Sequence, residues 1–163
     1  MVIILMGVAG SGKTTIGRAL ATALGWPFYD ADDFHSSANK QKMAAGQALT
    51  DQDRRPWLNQ LAGRIGRWSE LSTGSVLACS ALKASYRSLL TARIDAEQVA
   101  YIHLRGPKAL IARRLARRQA HYMPPELLDS QYEILEQPGD ALMVDINDPP
   151  AEIVSEIRLK MNL

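Results

Sequence analysis

Two stretches of this chain carry residue types at spacings that could do chemistry. The first is "GVAGSGKT", Gly7 to Thr14, which fits G-x-x-x-x-G-K-[ST] between an apolar run and a helical one. Gly7, Gly10 and Gly12 let the backbone curl, so that N–H groups across Val8, Ala9, Ser11 and their neighbours can face phosphate oxygens. A helix beginning near Lys13 adds the positive end of its dipole. Lys13 supplies a point charge for the β- and γ-phosphates of a nucleotide, the Thr14 hydroxyl suits Mg²⁺, and Thr15 continues the cradle. A glycine-rich turn that merely caps a helix would not need strand, loop, lysine and helix in register.

The second stretch is "DADDFH", residues 30 to 35, where three carboxylates and a histidine follow the short apolar run "WPFY". Asp-rich turns are common at surfaces. In a parallel sheet, however, residues leaving the C-terminal ends of the strands share one edge. Asp30 to Asp33 would then stand beside the phosphate cradle. Phosphoryl transfer to an alcohol needs one group near Mg²⁺ and another to accept the hydrogen bond of the attacking hydroxyl. Two carboxylates divide those tasks.

The phosphate cradle alone is shared by motors, GTPases and small-molecule kinases. The guanine-reading N-K-x-D element is missing, since "NKQK" at 39–42 lacks its Asp and falls in a helical pattern. The apolar run "SVLAC" leads into Ser80 instead of the acid of many motor ATPases. Asp145 in "LMVDI" lies on the last strand and reads as strand-end structure. The small kinases remain.

The elements that must position these residues are legible as an alternation. Short apolar runs at 2–6, 27–29, 75–79, 99–104 and 142–146 have the composition of buried parallel strands. Helical periodicity fills 13–24, 53–71, 83–92, 107–118, 126–136 and 149–161, with Pro107, Pro149 and Pro150 near helix starts. This predicts an α/β fold with a five-stranded parallel sheet flanked by helices, in a single domain over 1–163. Two regions exceed plain alternation: an insertion from about 30 to 71, and "RRQAHYMPPE" at 117–126, broken by a Pro-Pro pair. Insertions beyond the scaffold usually carry function.

Composition narrows the partners. With 163 residues, 47% hydrophobic and 22% charged, the chain is an ordinary globular domain. A net charge of +2 gives no bulk attraction to nucleic acid. Cys79 is the single cysteine, which excludes an intramolecular disulfide and fits a reducing cytoplasm. The N-terminal run lacks the basic flank of a signal peptide, and no stretch approaches the roughly 20 apolar residues of a membrane span. A soluble cytoplasmic protein is expected.

Beyond these two stretches, the chain resembles the gluconokinases of the bacterial thermoresistant type, small P-loop kinases related to shikimate and adenylate kinases. The resemblance runs through "GVAGSGKT", "DADDFH", "KMAAGQALTDQDRRPWL" (42–58), "CSALKASYRSLL" (79–90) and "RRQAHYMPPELLDSQYEILEQP" (117–138). Ala31 and Ala120 stand where that family often has glycine. The family implies transfer of the ATP γ-phosphoryl group, with Mg²⁺, to the 6-hydroxyl of D-gluconate, by a homodimer with a closing lid.

Under that resemblance, Asp32 faces the reacting hydroxyl and Asp30 lies nearer Mg²⁺, while Asp33 is a capping or solvated acid. His35 is expected to contact substrate hydroxyls. Arg54 is the best clamp for the substrate carboxylate, because a guanidinium binds it bidentately. Lys83 and Arg87, four apart at a helix start, are expected substrate or phosphate contacts, with a plain basic helix face as the alternative. In "RRLARR", Arg114 would lie against adenine and Arg118 would reach the transferring phosphate, with Arg113 and Arg117 facing solvent. His121 falls in the lid, His103 reads as a structural strand residue, and Cys79 reads as a buried strand residue. Met43, Trp57 and Leu58 are expected in the core, and Arg55 in solvent. The rivals are a small P-loop kinase for another hydroxy acid or a nucleoside monophosphate, and a nucleotide-switched binding module.

Overall fold

The computed structural model describes residues 1–117 and 125–163. Five parallel strands, β1 (Val2–Met6), β2 (Phe28–Asp30), β3 (Ser75–Ala78), β4 (Val99–Arg105) and β5 (Leu142–Asp145), form one sheet in the order β2-β3-β1-β4-β5. The central strand β1 pairs on one side with β3, from Val2↔Ser75 to Leu5↔Ala78, and on the other with β4, from Val2↔Val99 to Met6↔His103. All five residues of β1 are buried, which explains its unbroken apolar run.

Alternation along β1 divides the core. Ile3 and Leu5 face a layer made by α1 (Lys13–Leu24), α5 (Lys108–Ala116) and α7 (Pro150–Met161), through Ile16, Leu20, Ile111, Ile153 and Ile157. Val2, Ile4 and Met6 face α3 (Asp51–Ser69) and α4 (Ala84–Thr91), through Leu58, Leu61, Ile65, Tyr86 and Leu90. Helix α2 (Ser37–Ala44) and helix α6 (Pro125–Ile134) complete the described elements, together with short 3₁₀ turns at Ala31–Phe34 and Ala96–Gln98. Among the described residues, no helix is long and apolar enough to cross a membrane.

The expected elements all form, with shifted ends. Helix α3 begins at Asp51 and not at 53, because Thr50 and Asp53 close a reciprocal capping box ahead of the apolar face. Met43 is the clearest correction: it is exposed rather than core, since α2 offers no apolar stripe for it to extend and is pinned instead by a Ser36 cap and the buried Asn39. Trp57 and Leu58 are buried as expected. Cys79 is buried just beyond β3, and burial pushes its thiol up to about 12, so it stays protonated and inert.

Candidate functional site

The loop from Gly7 to Gly12 turns between β1 and α1 at the C-terminal edge of the sheet. Its tight course depends on Gly7 and Gly10. At Gly7, φ is +136° and a Cβ would lie 2.6 Å from the Leu104 carbonyl; at Gly10, φ is +80° and a Cβ would meet Leu115 of α5 at 2.8 Å. Neither position admits a side chain without moving its neighbours. Lys13 arches over the loop, its Nζ donating to the carbonyls of Gly7 and Val8, both at 3.0 Å. Ser11 is buried and Thr15 is exposed.

Asp30 ends β2 on the same edge and serves two partners. Its Oδ2 accepts from the Thr14 hydroxyl at 2.8 Å, and its Oδ1 accepts from the Asp32 backbone N–H at 3.2 Å, capping the 3₁₀ turn. Asp30, not Asp33, is therefore the cap; Asp33 is exposed, and its carbonyl receives Lys40. Among the described residues no group of three or more His, Cys, Asp or Glu is arranged to hold a metal ion. A hydroxyl joined to a carboxylate is nevertheless the hard-oxygen donor set that Mg²⁺ takes beside nucleotide phosphates, where it keeps several waters. Thr14 and Asp30 fit that ion.

Asp32 projects from the turn into solvent, with one carboxylate oxygen 3.9 Å from His35 Nε2. The turn is held from below by α3. Trp57 Nε1 donates to the Ala31 carbonyl at 2.8 Å, Trp68 stacks on Tyr29 at 3.9 Å, and Arg64 lies over the Phe34 ring at 4.3 Å. His35 itself stacks on Trp57 at 4.2 Å. Asn39 Nδ2 donates to the Asp53 carbonyl at 3.0 Å and lies 3.4 Å from His35 Nδ1. The carbonyl can only accept, which fixes the amide's orientation and makes Nδ1 an acceptor too. The proton of the neutral ring is then on Nε2, the nitrogen turned toward Asp32.

Burial, aided by the positive charges of Arg54 and Lys40, lowers the His35 pKa from 6.5 to about 4. The unfolded chain binds this proton near pH 6.5, whereas the folded chain binds it only near pH 4. Stability therefore falls as pH drops through that window and is unaffected by this group above it. Between pH 7.5 and 5, His35→Gln is expected to lose less melting temperature than the wild type does. An equal loss in both would mean that His35 does not carry this pH dependence.

A basic cluster closes the edge beyond β3. Arg54 Nη1 donates to the Leu49 carbonyl at 2.5 Å and to Tyr86 Oη at 3.4 Å. Lys83, the N-cap of α4, pairs with Asp51 at 2.8 Å. Hydrogen bonds from Lys83 and Tyr86 hold the Asp51 carboxyl below the usual carboxylate range. Arg87 turns inward, and its Nη1 holds the carbonyls of Ala81 and Leu82 at 3.0 and 3.1 Å, across a loop where Ala81 has φ +44°. Lys83 and Arg87 thus do not share one basic face. Arg55, Arg113 and Arg117 are exposed, and Arg114 Nη2 donates to the Ile146 carbonyl beyond β5 at 2.8 Å. Asp145 accepts from Asn147, in keeping with strand-end structure. Arg118, His121 and most of the expected lid lie outside the described residues.

Sequence reasoning missed three residues that touch this edge. Gln131 of α6 accepts the Ala9 N–H of the phosphate loop at 2.7 Å, from 122 residues away. Tyr86 and Asp51 meet across 35 residues. The stretches "SQYEILEQP", "TDQDRRPWL" and "CSALKASYRSLL", already singled out, contain them, but nothing in those stretches signalled the contacts.

The chain is similar over most of its length to small kinases, gluconokinases among them. A family model described as shikimate kinase matches residues 9–160. A probable gluconokinase from Xenopus tropicalis is 44% identical over 96% of this chain and 91% of its own. The thermoresistant gluconokinase of Escherichia coli is 38% identical over 93% of this chain and 88% of its own. A crystal structure of a gluconokinase from Sinorhizobium meliloti superposes with a TM-score of 0.85 at 40% identity, covering 98% of this chain and 93% of that one.

Proposed function

This chain belongs to the gluconokinase family, within the small P-loop kinases related to shikimate and adenylate kinases, and from that premise we propose that it transfers the γ-phosphoryl group of ATP to the 6-hydroxyl of D-gluconate. The observation that carries the proposal is the meeting of three kinds of group on one sheet edge. These are a phosphate loop with its lysine, the Asp30–Asp32 turn bonded to it through Thr14, and a basic cluster around Arg54. A polyol with a carboxylate at one end needs a hydrogen-bond acceptor at its reacting hydroxyl and cations at the other end.

In this reading the loop N–H groups and Lys13 hold the β- and γ-phosphates. Thr14 and Asp30 hold Mg²⁺, which when bound offsets charge on the phosphates. Asp32 orients the 6-hydroxyl and takes its proton, with His35 Nε2–H beside it as a donor to a substrate oxygen. Arg54 and Lys83 receive the carboxylate, and Arg87 braces the loop behind them. Arg114 lies at the adenine end and Arg118 supplies charge to the transferring group. Cytoplasmic residence and a homodimeric assembly belong to the same reading.

Arg54→Ala is expected to raise KM for gluconate far more than KM for ATP. A charge-assisted bidentate pair contributes about 1.5–3 kcal/mol, or about 10- to 150-fold in affinity. Equal effects on both substrates would remove Arg54 from the acceptor site. The reading as a whole is tested by ADP release measured across a panel of sugar acids, other hydroxy acids and nucleoside monophosphates. Turnover concentrated on gluconate supports it. Turnover on a different acceptor makes this a sister kinase, and tight nucleotide binding without turnover makes it a binding module.

A further inference from the structure

The carboxylate now seated in the basic cluster is the protein's own. Lys83 Nζ donates to both oxygens of Asp51, at 2.9 and 2.8 Å, and the Tyr86 hydroxyl donates to Oδ1. Arg54 stands directly behind, donating to Tyr86 Oη at 3.4 Å, with its guanidinium 5.7 Å from the Tyr86 ring centre. An ammonium and a phenol thus converge on one carboxylate, with a guanidinium close by. Charge-assisted donors in such an arrangement form a strong carboxylate seat.

Its present occupant lies largely in solvent. The Asp51 side chain is 64% exposed, against 25% for Lys83. Asp51 is not the cap of α3, because Thr50 and Asp53 already close that end. An ion pair with so exposed a member contributes little to stability, so exchanging its carboxylate for another has a small cost.

We propose that the seat made by Lys83 Nζ and Tyr86 Oη, backed by Arg54, receives the acceptor's carboxylate, and that Asp51 fills it as an internal stand-in until the acceptor arrives. The proposal rests on the gluconate reading above and adds two roles to it. Tyr86 becomes a specificity-determining contact, and Asp51 becomes a competitor within the site. The exchange is non-covalent: Lys83 and Tyr86 change acceptors, and Asp51 passes to water. A neutral polyol offers no charge with which to displace Asp51 and leaves the seat as it is, so the stand-in competes with acids alone and not with alcohols of the same length.

Calorimetric titration of the wild type, Asp51→Asn and Asp51→Ser tests this, using D-gluconate and D-glucitol, the uncharged polyol of equal chain length. Far-UV circular dichroism and melting curves establish that each variant is folded. Both variants are expected to bind gluconate about two- to five-fold more tightly than the wild type, the range an exposed ion pair can supply. Their affinity for glucitol should not change, and the gain should vanish when Lys83→Met is added. Equal or weaker gluconate binding by both variants, with the wild type binding normally, overturns the stand-in and leaves the gluconate reading intact. A wild type that binds no gluconate overturns both.

Discussion

Lys13→Ala is expected to keep the fold and lose phosphoryl transfer by about 10²-fold or more, the scale on which a preorganised electrostatic contact to a developing charge acts. The side chain sits at a loop-to-helix junction, where its ammonium bonds two loop carbonyls and takes no part in the apolar core. Circular dichroism and melting curves should therefore match the wild type, while ATP turnover with gluconate collapses. A purified variant that retained substantial activity would remove Lys13 from the phosphate site.

The second large effect concerns the carboxylates beside that lysine. Asp32→Asn keeps the size of the side chain but removes its charge and basicity. If Asp32 takes the proton of the 6-hydroxyl, kcat should fall by about 10²-fold or more, as loss of a general base typically requires. ATP binding should barely change, since Lys13, Thr14 and Asp30 are untouched. Asp30→Asn should instead shift the Mg²⁺ dependence, because it alters the acceptor of the Thr14 hydroxyl. Asp33→Asn should do little, since that side chain is exposed and the cap of the turn is Asp30. Titrating each variant with gluconate, ATP and Mg²⁺ separates the three patterns. A crippled Asp33→Asn with a mild Asp32→Asn would reverse the assignment of the two acids.

The parts of this edge that were legible in the sequence are those written locally. The phosphate loop is a run of consecutive residues whose glycines have no substitute, as the close approaches at Gly7 and Gly10 make plain. The strands were legible because β1 is buried on both faces and must be apolar throughout. Asp30 to Asp33 could be placed beside the loop because parallel strands end on one edge. What was not legible depends on contacts between distant segments. Nothing near Asp51 announces Tyr86, and nothing near Ala9 announces Gln131. Arg87 shows the same limit: its spacing from Lys83 suggested a shared face, but the strained Ala81 loop draws it inward. Met43 misled because hydrophobicity alone does not bury a residue on a helix that lacks an apolar stripe.

The fate of the phosphoryl group is decisive. The wild-type enzyme, given ATP, Mg²⁺ and D-gluconate, should yield ADP and a single sugar-acid phosphate in equal amounts. Phosphorus–proton correlation by NMR should couple that phosphorus to the two protons on carbon 6, as transfer to the 6-hydroxyl requires. Coupling to a proton on any other carbon, or ADP formed with no phosphorylated acid, would contradict it.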